Sequence, residues 1–584
     1  MRCINNPLRW LAAASVIVFL LSACGSGSDA PNQGPEVRAT TYGNIVGVND
    51  TAKSGTYFWK GVPFAKPPVG ALRWKAPVEP DKWQSLTTQS FGNACAQYGR
   101  IYGPGSDNTY DATIGTTLNQ AVGYEDCLYL NIWRPASNDN NLPVIYFIHG
   151  GSNVSGYTAD PIYDGAALAK SANAVVVTAN YRLGLFGFLN LPQLKTGTDA
   201  NNDSGNFATL DQIQALKFIK ANIANFGGNP DNVTVMGQSA GAINVYALLT
   251  SPLVVNANPK LFHRAAAISG GISLATELPA GSIATLSPAS TYLAQGNTLL
   301  YDLLIADGLA VDNATAAAYA ATQTNAQIAD YLRSKTPATI FNILLTKLAL
   351  VGLSGSGPIP EGTVVSKDPV AAISAGNYLK IPVLASNTRD EAKLFPSYLA
   401  LAPVLGGVSG VKVSDAVRFS MMMNYNPDAA PTLTDADIIT AQYLPVTTPV
   451  TGYNAETNLL NSIFFIPSRN NVLNTLLTQQ ANVWYYQFNW SLEPQPWNDV
   501  YGAAHLFDLP FLFGNFGPSL ISNASFSTAN KPGRLDLSNA MMSSLAAFAK
   551  NGDPNNATLG VAWPAWPKTL IFDATLTNKS ISVQ

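Results

Sequence analysis

The sequence predicts an α/β fold: a mostly parallel central sheet with helical insertions over the active site. Three observations carry this. Short apolar runs end at turns, helical periodicity fills the intervals between them, and a Gly-x-Ser-x-Gly string stands where one run meets a helix. Residues 142–148 (LPVIYFI) form the first run, closed by His149-Gly150-Gly151, and residues 174–180 (AVVVTAN) the second. Residues 210–226 place Ile213, Leu216, Ile219 and Ile223 at helical spacing before the stop Gly227-Gly228. A third strand at residues 233–236 leads through residues 237–241 into a helix at 240–249. Strand, helix, strand in this order builds a parallel sheet through crossovers. Residues 381–385 (IPVLA) and 483–488 (VWYYQF) add two buried strands, while residues 288–350 and 401–477 read as Ala-rich helical insertions. No linker divides residues 37–584, which read as one catalytic domain.

Charge narrows the function. Lys and Arg number 33 against 36 Asp and Glu, a net charge of −3, which lacks the basic footprint that nucleic acid requires. Residues 1–23 read as a leader: Arg2 and Arg9, then an apolar stretch too short to span a bilayer, then Ser22-Ala23. The string LSAC resembles the lipobox of bacterial lipoproteins. It implies cleavage before Cys24, acylation of that residue and attachment to a membrane, with Gly25 favouring the outer membrane. Residues 24–36 then form a flexible tether. Of the 4 cysteines, Cys95 and Cys127 remain, and in an oxidising compartment they read as a disulfide. Closing that loop constrains the unfolded chain by about 3.5–4 kcal/mol. No Cys or His spacing points to a metal, and no motif to a cofactor.

Gly237-Gln238-Ser239-Ala240-Gly241 is common by chance, but between a β-branched strand and a helix it reads as a nucleophile elbow. Side chains two residues before or after Ser239 would strike neighbouring backbone, and the helix N-terminus behind it favours a developing oxyanion. The upstream loop His149-Gly150-Gly151-Ser152 offers further amide donors, which join that of Ala240. Only 3 histidines exist. His149 sits in that loop and His263 close behind the elbow helix, so His505 is left as the base in the chain order Ser, acid, His of an α/β-hydrolase. The acid falls at Asp390 or Glu391, after the strand at 381–385; spacing alone does not separate them.

Together these residues resemble the type-B carboxylesterase family of carboxylesterases, cholinesterases and bile-salt-type lipases. The resemblance runs from Thr41 to Pro567 and includes Gly61-Val62-Pro63-Phe64-Ala65, Glu125-Asp126-Cys127-Leu128-Tyr129-Leu130-Asn131, Asn180-Tyr181-Arg182-Leu183-Gly184, Leu210-Asp211-Gln212 and Gly552-Asp553-Pro554-Asn555. It implies Glu391 as the acid, His505 as the base, a first disulfide at Cys95–Cys127, and oxyanion amides on Gly151, Ser152 and Ala240. Three departures stand out: Ser152 and Asn153 replace a glycine and an aromatic, Gln238 replaces a glutamate, and the loop between Cys95 and Cys127 has no Trp. The last two remove partners for a cationic alcohol.

The expectation is a serine hydrolase of neutral carboxylic esters acting through an acyl-enzyme, with Met421, Met422, Met423, Phe464 and Phe465 lining the acyl pocket. Lipase, polyester or aromatic-diester chemistry on the same triad is the alternative, and a silent neuroligin-like adhesion protein a distant one. No protein partner is indicated, and oligomeric state is left open.

Overall fold

An eleven-stranded sheet organises the chain. In chain order its strands are β1 (Val48–Asp50), β2 (Thr56–Pro63), β3 (Tyr129–Pro135), β4 (Leu142–Ile148), β5 (Val175–Ala179), β6 (Gly228–Gln238), β7 (Arg264–Ile268), β8 (Val383–Thr388), β9 (Val483–Phe488), β10 (Leu570–Ala574) and β11 (Lys579–Val583). They lie side by side in the order β11-β10-β9-β8-β7-β6-β4-β5-β3-β2-β1. The run from β10 to β5 is parallel throughout, and the antiparallel pairs stand at the two edges. The computed structural model describes residues 34–584 except residue 108. The leader, Cys24 and the tether as far as residue 33 lie outside the described residues.

The continuous apolar runs follow from a sheet covered on both faces. Along β4, Val144, Tyr146 and Ile148 enter one core while Ile145 and Phe147 enter the other. The first core is closed by α1 (Phe207–Asn222) and α2 (Ala240–Thr250), through residues such as Ile213, Leu216 and Val245. The helical insertions contribute α3 (Ala289–Ala306), α4 (Asp415–Met423) and α5 (Tyr453–Leu477). The second core is closed by α6 (Lys531–Asn551), through Leu537, Met541 and Leu545. Helix α1 ends four residues earlier than its periodicity, because residues 223–226 tighten into a 3-10 turn.

The expected helical stretch at 401–477 is corrected. Only α4, short turns and the 25-residue α5 are helical there. Pro403, Pro427, Pro431, Pro445 and Pro449 remove N–H donors, so most of 401–452 is irregular. The stretch at 288–350 is helical as expected.

Several of the recurrent motifs hold the frame. Arg182 and Asp211 form a buried ion pair at 2.6 Å, with Asp211 Oδ2 also accepting the Arg182 amide at 3.0 Å. Arg73 pairs with Glu125 beside the Cys95–Cys127 disulfide, which is present.

Candidate active site

Strand β6 ends at Gln238, and α2 begins at Ala240. Ser239 between them has φ 58° and ψ −123°, a backbone conformation that costs about 1–3 kcal/mol and is kept only where the surroundings enforce it. A Cβ on Gly237 would meet Gly241 O at 2.2 Å, and one on Gly241 would meet Ile148 O at 2.2 Å. The Ser239 amide donates to Ile268 O at the end of β7 at 2.8 Å, pinning the bend to the neighbouring strand.

The loop after β4 wraps this bend. Gly150 packs so closely that a Cβ there would lie 2.9 Å from Ser239 Cβ. Gly151, Ser152 and Asn153 follow with φ of 102°, 58° and 57°. This left-handed run is stabilised from below. Asn153 is buried, and its Oδ1 accepts from Asn244 Nδ2 on α2 at 2.9 Å and from Tyr181 Oη at 3.2 Å. The single Tyr181 hydroxyl hydrogen is shared between Asn153 Oδ1 and the nearer His149 O at 2.8 Å, and the Tyr181 and His149 rings stack with centroids 4.6 Å apart. Burial pushes the His149 imidazole down to about 4, so it is neutral and holds Gly150 O through Nδ1 at 2.9 Å. His149 is thus a brace for the loop, and Asn153 serves as an anchor where an aromatic was expected.

On the opposite wall, β8 delivers the acidic pair. Asp390 Oδ2 accepts the Ala503 amide at 3.0 Å and the Arg389 guanidinium at 2.7 Å, while the Asp390 amide donates to Ala503 O at 2.9 Å. It clamps the segment before His505. Glu391, 1% exposed, accepts His505 Nδ1 on Oε2 at 2.5 Å and both Asn387 Nδ2 and the Thr388 amide on Oε1 at 2.8 Å. Burial alone would raise this carboxyl, but the His505 charge and the three hydrogen bonds outweigh it and hold its pKa below the ordinary value. Asn461 on α5 fixes the turn from outside, donating to Arg389 O at 2.8 Å and accepting the Ala392 amide at 2.9 Å.

His505 is 2% exposed, with the rings of Phe395 and Phe465 at 5.2 and 5.3 Å. Its Nε2 lies 3.0 Å from Gln238 Nε2. With Nδ1–H given to Glu391, Nε2 is the acceptor and the Gln238 amide the donor. Among the described residues no hydrogen bond joins Ser239 Oγ to His505, although Gln238 precedes Ser239 directly and both Ser239 and His505 line one cavity. His263 is elsewhere, its Nδ1 accepting the Val233 amide at 3.2 Å.

Two cavities meet at Ser239, sharing Ser152, Phe395 and Tyr398. One, about 300 Å³, passes Ala240, Ile243, Phe464 and Phe465. The other, about 260 Å³, passes His505, Gln238, Tyr102 and Arg418. Phe464 and Phe465 therefore reach the site as expected. The three methionines line neither cavity: Met422 is a buried residue of α4, and Met421 lines a separate surface hollow. Of the disulfide-loop tyrosines, Tyr102 lines the site, whereas Tyr124 is 53% exposed. Sequence reasoning missed Asn153, Tyr181, Asn244, Asn387 and Asn461 as supports, although Tyr181 lies within one of the strings that carry the resemblance, residues 180–184.

The arrangement offers a strained hydroxyl, an imidazole oriented by a carboxylate, and a loop of backbone amides facing a largely apolar cleft, which is the equipment of acyl transfer. The sequence profile described as "Carboxylesterase family" matches residues 33–580. The chain is 31% identical to a para-nitrobenzyl esterase of Bacillus subtilis (strain 168), over 93% of this chain and 96% of that protein. It is 30% identical to a fumonisin B1 esterase of Sphingopyxis macrogoltabida, over 96% and 92%. Among solved structures, a PNB esterase superposes with TM-score 0.68 at 27% identity, covering 94% of this chain and 97% of that one. A Geobacillus stearothermophilus carboxylesterase does so with TM-score 0.67 at 27% identity, covering 94% and 98%.

Proposed function

From the premise that this chain belongs to the carboxylesterase family and is a serine ester hydrolase, we propose how its residues divide the work. Ser239 Oγ attacks the ester carbonyl, and His505 Nε2 takes its proton and returns it to the leaving alcohol. Glu391 fixes the Nδ1–H tautomer and stabilises the imidazolium. The amides of Gly151, Ser152 and Ala240 receive the oxyanion. Water then repeats the sequence on the acyl-enzyme. The carrying observation is the Glu391–His505 contact at 2.5 Å, with the ring's other nitrogen held by Gln238, one residue from the strained Ser239.

Gln238 adds a step of its own. Its amide occupies the lone pair that must receive the Ser239 proton, so the imidazole exchanges Gln238 for Ser239 as substrate arrives. Neutral esters are the proposed substrates. The absence of a carboxylate at position 238 and of Trp between Cys95 and Cys127 removes two partners that a cationic alcohol would use. Upstream, the proposal keeps residues 1–23 as a removed leader, Cys24 as a lipidated anchor to the outer membrane, residues 24–36 as tether and 37–584 as the catalytic domain. Loss of palmitate-analogue labelling in Cys24→Ser would support the anchor, and retained labelling would exclude it.

Fluorophosphonate labelling tests the site, with the parent labelled and Ser239→Ala unlabelled. An unlabelled parent that also fails on a panel of aryl esters, triglycerides and aromatic diesters would overturn the assignment. The same panel ranks the substrate classes.

A further inference from the structure

The acyl side of the cleft carries a hydroxyl that the hydrolytic steps leave unused. His505 returns its proton to the leaving oxygen and lines the smaller of the two lobes, so the alcohol part of the ester lies there. The acyl part then enters the larger lobe, whose lining holds Ser239 and Ala240 but no charged side chain. Tyr292, near the start of α3, lines that lobe and is 5% exposed. Its ring belongs to the first core, while its hydroxyl retains accessible surface and has no hydrogen-bond partner among the described residues. The other hydroxyls of the lobe differ. Thr285 Oγ1 accepts the Ser273 amide at 2.9 Å, and Ser356 Oγ donates to Gly184 O at 3.2 Å. The Ser269 and Ser468 oxygens are sealed in, and Ser152, Ser287, Thr291 and Tyr398 are half-buried or exposed. A Cβ on Gly357 would lie 3.4 Å from Tyr292 Oη and 3.6 Å from Asn153 Nδ2, so the phenol oxygen borders the turn beside the oxyanion loop.

An acyl chain that fills this lobe displaces solvent from the Tyr292 hydroxyl. An alkyl chain gives that donor nothing in return, whereas a carbonyl oxygen at the same depth restores the hydrogen bond. We propose that Tyr292 is a specificity-determining residue that donates to a second carbonyl on the acyl chain, which raises the rate on neutral diesters of dicarboxylic acids relative to alkanoates of equal length. This rests on Ser239 and His505 acting as assigned above. The uncharged lining suits a neutral second ester, since a free carboxylate there would be desolvated without a cation to face it. Tyr292 takes no part in bond making or breaking: it holds the portion of the substrate that stays on Ser239 as the acyl-enzyme.

The test uses the 4-nitrophenyl methyl diesters of succinic, glutaric and adipic acid, each against the 4-nitrophenyl alkanoate of equal chain length, with every rate divided by its hydroxide-catalysed rate. Release of 4-nitrophenolate reports attack at the same end of every substrate. For at least one spacer, the diester-to-alkanoate ratio of kcat/KM is expected to be about tenfold higher in the parent than in Tyr292→Phe, which removes the hydroxyl and keeps the ring. Should Tyr292→Phe fail to fold, Gly357→Ala decides. Its methyl group would sit 3.4 Å from the hydroxyl, an ordinary contact that crowds the approach of an acceptor, so a lowered ratio supports the subsite and an unchanged ratio overturns it. Equal ratios in the parent and folded Tyr292→Phe at every spacer overturn the subsite and leave the esterase assignment standing. Failure of the parent on the plain alkanoates as well would bring down the assignment itself.

Discussion

Replacing Glu391 by Gln puts the acid's role to a sharp test. Three N–H donors converge on its two oxygens: His505 Nδ1 on one, and Asn387 Nδ2 with the Thr388 amide on the other. A carboxylate accepts all three, and a carboxamide cannot. If the amide nitrogen faces Asn387 and Thr388, donor meets donor twice. If it faces His505, Nδ1 must become the acceptor, the ring proton moves to Nε2, and the nitrogen meant to receive the Ser239 proton is already protonated. The second arrangement satisfies more bonds, so Glu391→Gln should lock the wrong tautomer and lower kcat by about 10⁴-fold, or about 5.5 kcal/mol of barrier. The fold should persist, because the substitution preserves shape and removes a charge from a site 1% exposed. Initial rates on a neutral aryl ester, with circular dichroism to confirm folding, give the answer. Thermal unfolding gives a second readout. A carboxyl held below its ordinary value contributes stability that is complete above about pH 4.5 and is lost as pH falls through its folded value. The parent should therefore lose more stability than Glu391→Gln below that pH. A folded variant within about tenfold of parental kcat would refute the reasoning.

Gly151→Ala should lower kcat by about 10²–10³-fold with less effect on KM, since a Cβ there would lie 2.1 Å from Ser155 O and the amides could not hold their aim; unchanged kinetics would remove this loop from the oxyanion site. Gln238→Glu places a carboxylate against His505 Nε2, favours the imidazolium and should move the acidic limb of kcat/KM upward by about one pH unit; a stationary or lowered limb would show that residue 238 does not face the working ring. Asp508 is buried behind the pair, where burial and then the Glu391 charge push its carboxyl up to about 7. It therefore holds a proton in the folded chain that the unfolded chain has released above pH 3.8, and the stability this gives is lost as pH rises to about 7. Asp508→Asn, which can still accept from Tyr486 Oη, should raise Tm relative to the parent more at pH 8 than at pH 5; a pH-independent difference would contradict the shift.

Local rules made much of this molecule legible from its chain alone. Ser239 was readable because a sharp strand-to-helix bend demands glycine at 237 and 241, and that demand is written within five residues. His505 was singled out because a chain with 3 histidines leaves few choices, and the fold sets it against Glu391. Five strands of the parallel run showed because a sheet covered on both faces favours continuous apolar side chains, whereas Arg264–Ile268, with the sequence RAAAI, did not. Other features depend on partners that sequence distance hides. Asp390 and Glu391 are adjacent carboxylates with opposite duties, one clamping the Ala503 backbone and the other holding His505. The irregular path of residues 401–452 is set by what it covers, and residues 409–418 come to line the cavity beside His505 only through the tertiary fold. Gln238 and His505 stand 267 residues apart in the chain and 3.0 Å apart in the fold. Backbone geometry and burial are imposed by near neighbours and so leave a local pattern, whereas the choice of hydrogen-bond partner among similar polar side chains is made by packing, after the distant segments have met.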